Sequence, residues 1–172
     1  MTTDTSSPGR ELKPFTVADH IVLFVAEGFG LGRIKVAPGT WGSLWGIPLG
    51  YAMLTQGWSI MAFAVTAIAM LIPGIPLCDK AAKLRNIKDP GSVVWDEMAA
   101  FPIVYIVAIG STVNLWLVLL LGFALFRLFD IWKPWPVKVF DRIEGGTGIM
   151  LDDTVAGFMA AASLWAILKL VS

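Results

Sequence analysis

From Val36 to Cys78 the chain runs for 43 consecutive residues without Asp, Glu, Lys or Arg. Two further charge-free stretches follow, 29 residues from Met98 to Phe126 and 15 from Thr154 to Leu168. A water-soluble domain has no means of covering helices made from such stretches, whereas a helix that crosses a bilayer needs about 20 mainly apolar residues. Charged residues make up only 15% of the 172, against roughly 25% in an ordinary soluble domain. This pattern excludes a soluble globular protein, a coiled coil and a disordered chain. With 13 basic against 13 acidic residues and no basic stripe, nothing points to a nucleic-acid partner. One cysteine and one histidine exclude a disulfide framework, multi-thiolate zinc sites and paired-histidine metal motifs.

Residues 1–14 read as a short polar tail without a signal-peptide core, and residues 15–172 as a single membrane-embedded domain. Phe15 to Gly30 is apolar but contains Asp19, His20 and Glu27, with basic residues on both flanks, which suits an interfacial helix. The 43-residue gap fits a hairpin of two helices, near Trp41–Leu54 and Ser59–Leu77, turning at Gln56-Gly57. Pro73 and Pro76 are expected to kink or end the second. A polar loop from Asp79 to Gly91 follows. Helices are then expected over Val93–Ile109, Val113–Phe129 and about Ile149–Val171. The fold expected is therefore an all-α polytopic bundle of about five membrane helices plus the interfacial N-terminal one.

If each long gap is a hairpin, 12 of the 13 basic residues fall on one side, Lys169 being the exception. The positive-inside rule makes that side the cytoplasm. Three acidic groups arrive on the same side: Asp96-Glu97 opening one helix, Asp130 closing the next, and Asp152-Asp153 near the start of the last. Acids next to spanning helices are expensive to keep, and that makes them candidate site residues. Helix capping alone accounts for any one of them; it does not account for their convergence. A set of carboxylates with no soft ligand nearby suits a hard cation such as Mg²⁺, held by Asp96, Glu97, Asp130, Asp152 and Asp153.

Arg127 lies one helical turn before Asp130, so the two share a face. It and Lys133 are the candidates for gripping a phosphate, although lipid headgroups alone give such cations a role. Thr40 and Ser43, in the Pro38-Gly39-Thr40-Trp41-Gly42-Ser43 turn, are weaker candidates for the same anion. Asp89, in the turn Lys88-Asp89-Pro90-Gly91, reads as a turn residue and His20 as structural.

Four segments carry a resemblance: GFGLGRIKVAPGTWGSL, KDPGSVVWDE, FRLFDIWKPWP and GGTGIMLDDTVAG. Together they resemble bacterial phosphatidylglycerophosphatase A, in that family's order, from Gly28 to the C-terminus. The resemblance implies a Mg²⁺-dependent, all-helical enzyme of the bacterial inner membrane. Its implied reaction removes the terminal phosphate of phosphatidylglycerophosphate, a lipid substrate, to leave phosphatidylglycerol. No protein partner is implied. Ile34-Lys35 stands where family members commonly carry Ser-Pro, and Ala100 where they commonly carry Gly.

On this reading Asp96, Glu97, Asp130 and Asp153 are the catalytic acids, one of them the base, and water attacks directly; an aspartyl-phosphate route remains open. The alternative class is a small ion- or proton-coupled transporter with carboxylates midway through the bilayer. A non-catalytic membrane subunit is the third.

Overall fold

The computed structural model describes residues 14–171, so most of the expected polar tail lies outside the described residues. Among the described residues all regular structure is helical. Thr16 caps α1 (Val17–Ala26) in a reciprocal capping box with Asp19. A 3-10 segment, Gly28–Arg33, then leads into α2 (Pro38–Ser43) and α3 (Gly46–Thr55). The expected Trp41–Leu54 helix is thus interrupted, but Leu44 and Trp45 keep right-handed angles between its two pieces.

The second helix of that hairpin, α4, runs from Ile60 to Arg85. The expected polar loop from Asp79 is corrected here: of the two outcomes expected at Pro73 and Pro76, ending the helix does not occur, and Asp79, Lys80, Lys83 and Arg85 ride on α4. Prolines are tolerated within bilayer-spanning helices because neighbouring groups re-satisfy the backbone. Here the Trp95 indole donates to the Met70 carbonyl at 3.0 Å, next to the proline segment. Gly74, between the two prolines, lets Met150 and Trp95 approach so closely that an added Cβ would meet the Met150 Cε at 2.6 Å.

After the loop come α5 (Trp95–Tyr105), α6 (Leu115–Trp132), the single turn α7 (Val137–Phe140) and α8 (Gly145–Val171). Of the five expected membrane helices, α4, α6 and α8 are long and apolar enough to cross a membrane. At 1.5 Å per residue α3 and α5 reach only about 15 Å each, half of a hydrocarbon core of about 30 Å. The long helices present their apolar side chains outward: Ile60, Met61, Val65, Ile68 and Ile72 of α4 are all more than half exposed. Such a row is stable against lipid and unstable against water. The protein is a helical membrane protein.

The last helix, α8, packs against α4, α5, α6 and α7 and forms the spine of the bundle. The core around it holds Phe63, Phe101, Val104, Tyr105, Leu119, Phe126 and Leu164, each buried. Small residues set the spacing on the other side, where Gly46 and Gly50 of α3 lie flat against the rings of Phe101 and Tyr105. The Tyr105 hydroxyl, which would be costly to bury unpaired, donates to the Leu119 carbonyl at 2.8 Å and ties α5 to α6. The C-terminal ends of α4 and α6 and the N-terminal ends of α5 and α8 meet at one end of this bundle.

Candidate active site

Glu97, in the first turn of α5, is buried, and two groups distant in sequence receive it. The hydroxyl of Ser43, itself wholly buried at the end of α2, donates to Glu97 Oε2 at 2.6 Å. Arg127 of α6 donates to Glu97 Oε1 at 3.2 Å, to Asp130 Oδ2 at 2.5 Å and to the Ser43 hydroxyl at 3.3 Å. One terminal nitrogen of the guanidinium makes all three contacts, and its buried Nε has no partner. Charged groups this far from water are stable only when paired. Ser43, Glu97, Arg127 and Asp130 therefore form one unit across α2, α5 and α6.

Gly39 lies against this unit without a side chain. A Cβ there would sit 2.3 Å from Glu97 Oε1 and 3.2 Å from both terminal nitrogens of Arg127. The space is thus kept open by the absence of a methyl group. Gly39→Ala is expected to displace Glu97 or Arg127 and cut turnover at least tenfold, with helical content by circular dichroism unchanged.

A second unit lies on α8 and the α6–α7 turn. Lys133, the left-handed C-cap of α6, donates to Asp152 Oδ2 at 2.8 Å and to Asp141. Partial burial works to lower the Lys133 pKa, but the hydrogen bonds to these two carboxylates outweigh it and raise the pKa above that of a free lysine. Lys133 thus stays cationic throughout the physiological range. Asp152 Oδ1 also accepts from the backbone N–H of Asp153 at 3.0 Å. Asp153 is buried on the same turn, within electrostatic reach of Asp96, Asp130, Asp152 and Glu97. The two units are therefore neighbours. Thr40 lies on α2 between Gly39 and Ser43, half-buried, and its backbone N–H is spent on the Ala37 carbonyl.

Asp89, read from sequence as a turn residue, is exposed at the rim of this region, with Lys133, Asp141 and Asp130 among its charged neighbours. It shares a small cavity of about 170 Å³ with Asp141 and Lys88. The signal for it was the acid within the KDPG turn, which local turn chemistry explained away. Asp141 was missed because nothing in sequence links it to Lys133 eight positions earlier. His20 is exposed on α1 and packs edge-on against Phe15, at 5.9 Å between ring centres, away from these acids.

The donor set is all hard oxygen. Asp96 Oδ1 is buried without any hydrogen-bond partner, a cost that a cation would remove. Among the described residues no three His, Cys, Asp or Glu side chains already converge at metal-ligating spacing. In donor chemistry, all oxygen with one buried carboxylate oxygen unpartnered, the carboxylates suit a hard divalent ion.

A family model described as phosphatidylglycerophosphatase A matches residues 24–168. The chain is 40% identical to the phosphatidylglycerophosphatase A of Escherichia coli over 142 residues, covering 82% of this chain and 80% of that one. It is 41% identical to the Haemophilus influenzae protein of the same name over 157 residues, covering 91% and 93% of the two chains. No solved structure matches. With its matched span enclosing both charged units and nearly every helix, the chain belongs to the phosphatidylglycerophosphatase A family.

Proposed function

We propose that this protein hydrolyses the terminal phosphomonoester of phosphatidylglycerophosphate, releasing phosphatidylglycerol and phosphate, with Mg²⁺ as cofactor. The observation that carries the reading is the placement of Arg127 and Lys133 among buried carboxylates at one end of a membrane bundle. A monoester dianion needs cations, and its slow hydrolysis is accelerated mainly by charge stabilisation. Arg127 and Lys133 supply that charge. Ser43 and Asp130 fix the plane of the Arg127 guanidinium, so its unpartnered edge is oriented before substrate arrives.

Asp96, Glu97, Asp130, Asp152 and Asp153 are the residues that would hold Mg²⁺. When bound, the ion neutralises phosphoryl oxygens as a Lewis acid. Water is the nucleophile, and one of the carboxylates Asp96, Glu97, Asp130 and Asp153 takes its proton as the new P–O bond forms. The bond from phosphorus to the glycerol oxygen breaks, and that oxygen takes the proton the carboxylate accepted from water, leaving as the free hydroxyl of phosphatidylglycerol. The acyl chains stay in lipid beside Trp132 and Trp135, both exposed at the same end. The excess of basic residues at this end supports a bacterial inner-membrane location with the site facing the cytoplasm.

A transporter would carry its acids midway along the spans. Here they gather at one end, and the opposite turns, around Gly57 and Gly110, hold no acid. The test uses purified protein in detergent with short-chain phosphatidylglycerophosphate. Phosphate release is expected with Mg²⁺ and is expected to stop with chelator. Asp130→Asn and Asp153→Asn are each expected to lower it at least 100-fold. Near-normal Mg²⁺-dependent release by both variants overturns the assignment of these acids.

A further inference from the structure

Glu27, at the C-terminal end of α1, is wholly buried and takes no part in the proposed hydrolysis. Arg33 Nε donates to its Oε2 at 2.6 Å, and Arg85 Nε to its Oε1 at 2.8 Å, while the Ser92 hydroxyl lies 3.4 Å from Oε1. These groups come from the 3-10 segment, the end of α4 and the loop before α5, so the carboxylate gathers three separate parts of the chain. One arginine would suffice to neutralise it. The second arginine is surplus, and so is Lys35, which has no acidic partner among the described residues.

Arg33, Lys35 and Arg85 line one open cleft of about 740 Å³ together with His20 and Ser92. Against the single charge of Glu27 these three cations leave an excess of two. Glu27 occupies the Nε of Arg33, and the terminal nitrogens of that side chain have no acceptor among the described residues. A guanidinium held by one edge presents its other edge in a fixed orientation, suited to two oxygens of one anion. Fastening the loops together explains Glu27 and one arginine. It leaves unexplained why two more cations face the same empty space.

The cleft is separate from the candidate active site. Pro38 lines it, whereas its neighbour Gly39 faces Glu97 and Arg127, so the start of α2 stands as a wall between the two. At the charged end of a membrane bundle, the oxygen-rich anion that matches a fixed guanidinium edge plus an ammonium group is phosphate.

We propose that this cleft is a second phosphate-binding site, formed by Arg33, Lys35 and Arg85 on Glu27. It takes the phosphodiester of an anionic lipid headgroup or free phosphate, apart from the place of hydrolysis. The proposal does not depend on the phosphatase reading. Because phosphatidylglycerol and phosphate are also the products of the proposed hydrolysis, the variants at Arg33 and Lys35, which line this cleft alone, decide where they bind.

The experiment titrates purified protein in neutral detergent with short-chain phosphatidylglycerol, short-chain phosphatidylcholine and inorganic phosphate, followed by calorimetry. Phosphatidylglycerol is expected to bind and phosphatidylcholine is not, which assigns the site to an anionic headgroup; binding of inorganic phosphate alone assigns it to free phosphate. In either case Arg33→Gln with Lys35→Gln is expected to weaken binding at least tenfold. This variant keeps the buried Glu27–Arg85 pair, and an unchanged melting temperature verifies its fold. Should it unfold, Lys35→Gln alone is expected to weaken binding at least threefold. Equal binding by wild type and variant, or equal binding of both lipids with none of phosphate, overturns the proposal.

Discussion

Arg127→Gln is expected to lower phosphate release by about 100- to 1,000-fold, the usual loss when one preorganised charged donor is removed from a reaction centre. The same substitution leaves Glu97 and Asp130 facing each other with no cation between them. Both side chains are almost out of water, at 11% and 14% exposure, and Arg127 itself is at 15%. Breaking a buried pair from one side costs about 3–5 kcal/mol because the remaining charge is stranded. Arg127→Gln is therefore expected to unfold earlier in a thermal or SDS titration as well as to lose turnover. Arg127→Lys separates the two effects. It keeps the positive charge and most of the stability, but a point charge cannot reach Ser43, Glu97 and Asp130 in one plane while gripping phosphate. Restored melting with turnover still at least tenfold down is the expected result. Full recovery of both would show that only charge matters at this position.

Glu27→Gln is expected to cost substantial stability with little loss of chemistry. The side chain is at 0% exposure, and two arginines and a serine converge on it. Glutamine keeps the shape but carries no charge, so both guanidinium groups lose their counter-ion. Arg33 and Arg85 are 52% and 35% exposed, so water takes over part of their solvation and the cost sits near the lower end of the range, about 3 kcal/mol. The expected reading is an earlier thermal transition, with phosphate release per folded molecule within threefold of wild type at low temperature. A collapse of turnover in the folded fraction would place Glu27 in the chemistry.

Charge placement told most about this chain before any coordinates. Gaps in charge marked the membrane helices, and their spacing brought Asp96-Glu97, Arg127-Asp130 and Asp152-Asp153 to one end. The Arg127–Asp130 contact was legible outright, since one helical turn fixes it. The contact of Ser43 with Glu97 was not, because 54 residues separate them and only the approach of α2 to α5 brings them together. Pro73 and Pro76 misled in the opposite direction. Local propensity says that a proline ends a helix, but a bilayer leaves the backbone no better alternative, so α4 continues. Glu27 hid for a third reason. An acid in an interfacial helix looks like a solvated charge, and only tertiary packing shows it to be the least exposed acid among the described residues.

The central position of α8 governs the order in which the molecule is completed. Asp152 and Asp153 ride on a helix that follows α4, α5 and α6 in the chain, and all three pack against it. While the chain is being made, Glu97 and Arg127 are already in the membrane, yet the groove meant for α8 stands open to lipid. If Asp152 and Asp153 act as proposed, hydrolysis waits for α8 to insert and dock. On the proposed mechanism a chain lacking α8 carries Arg127 and Lys133 without Asp152 and Asp153, so competence waits on the docking of one helix.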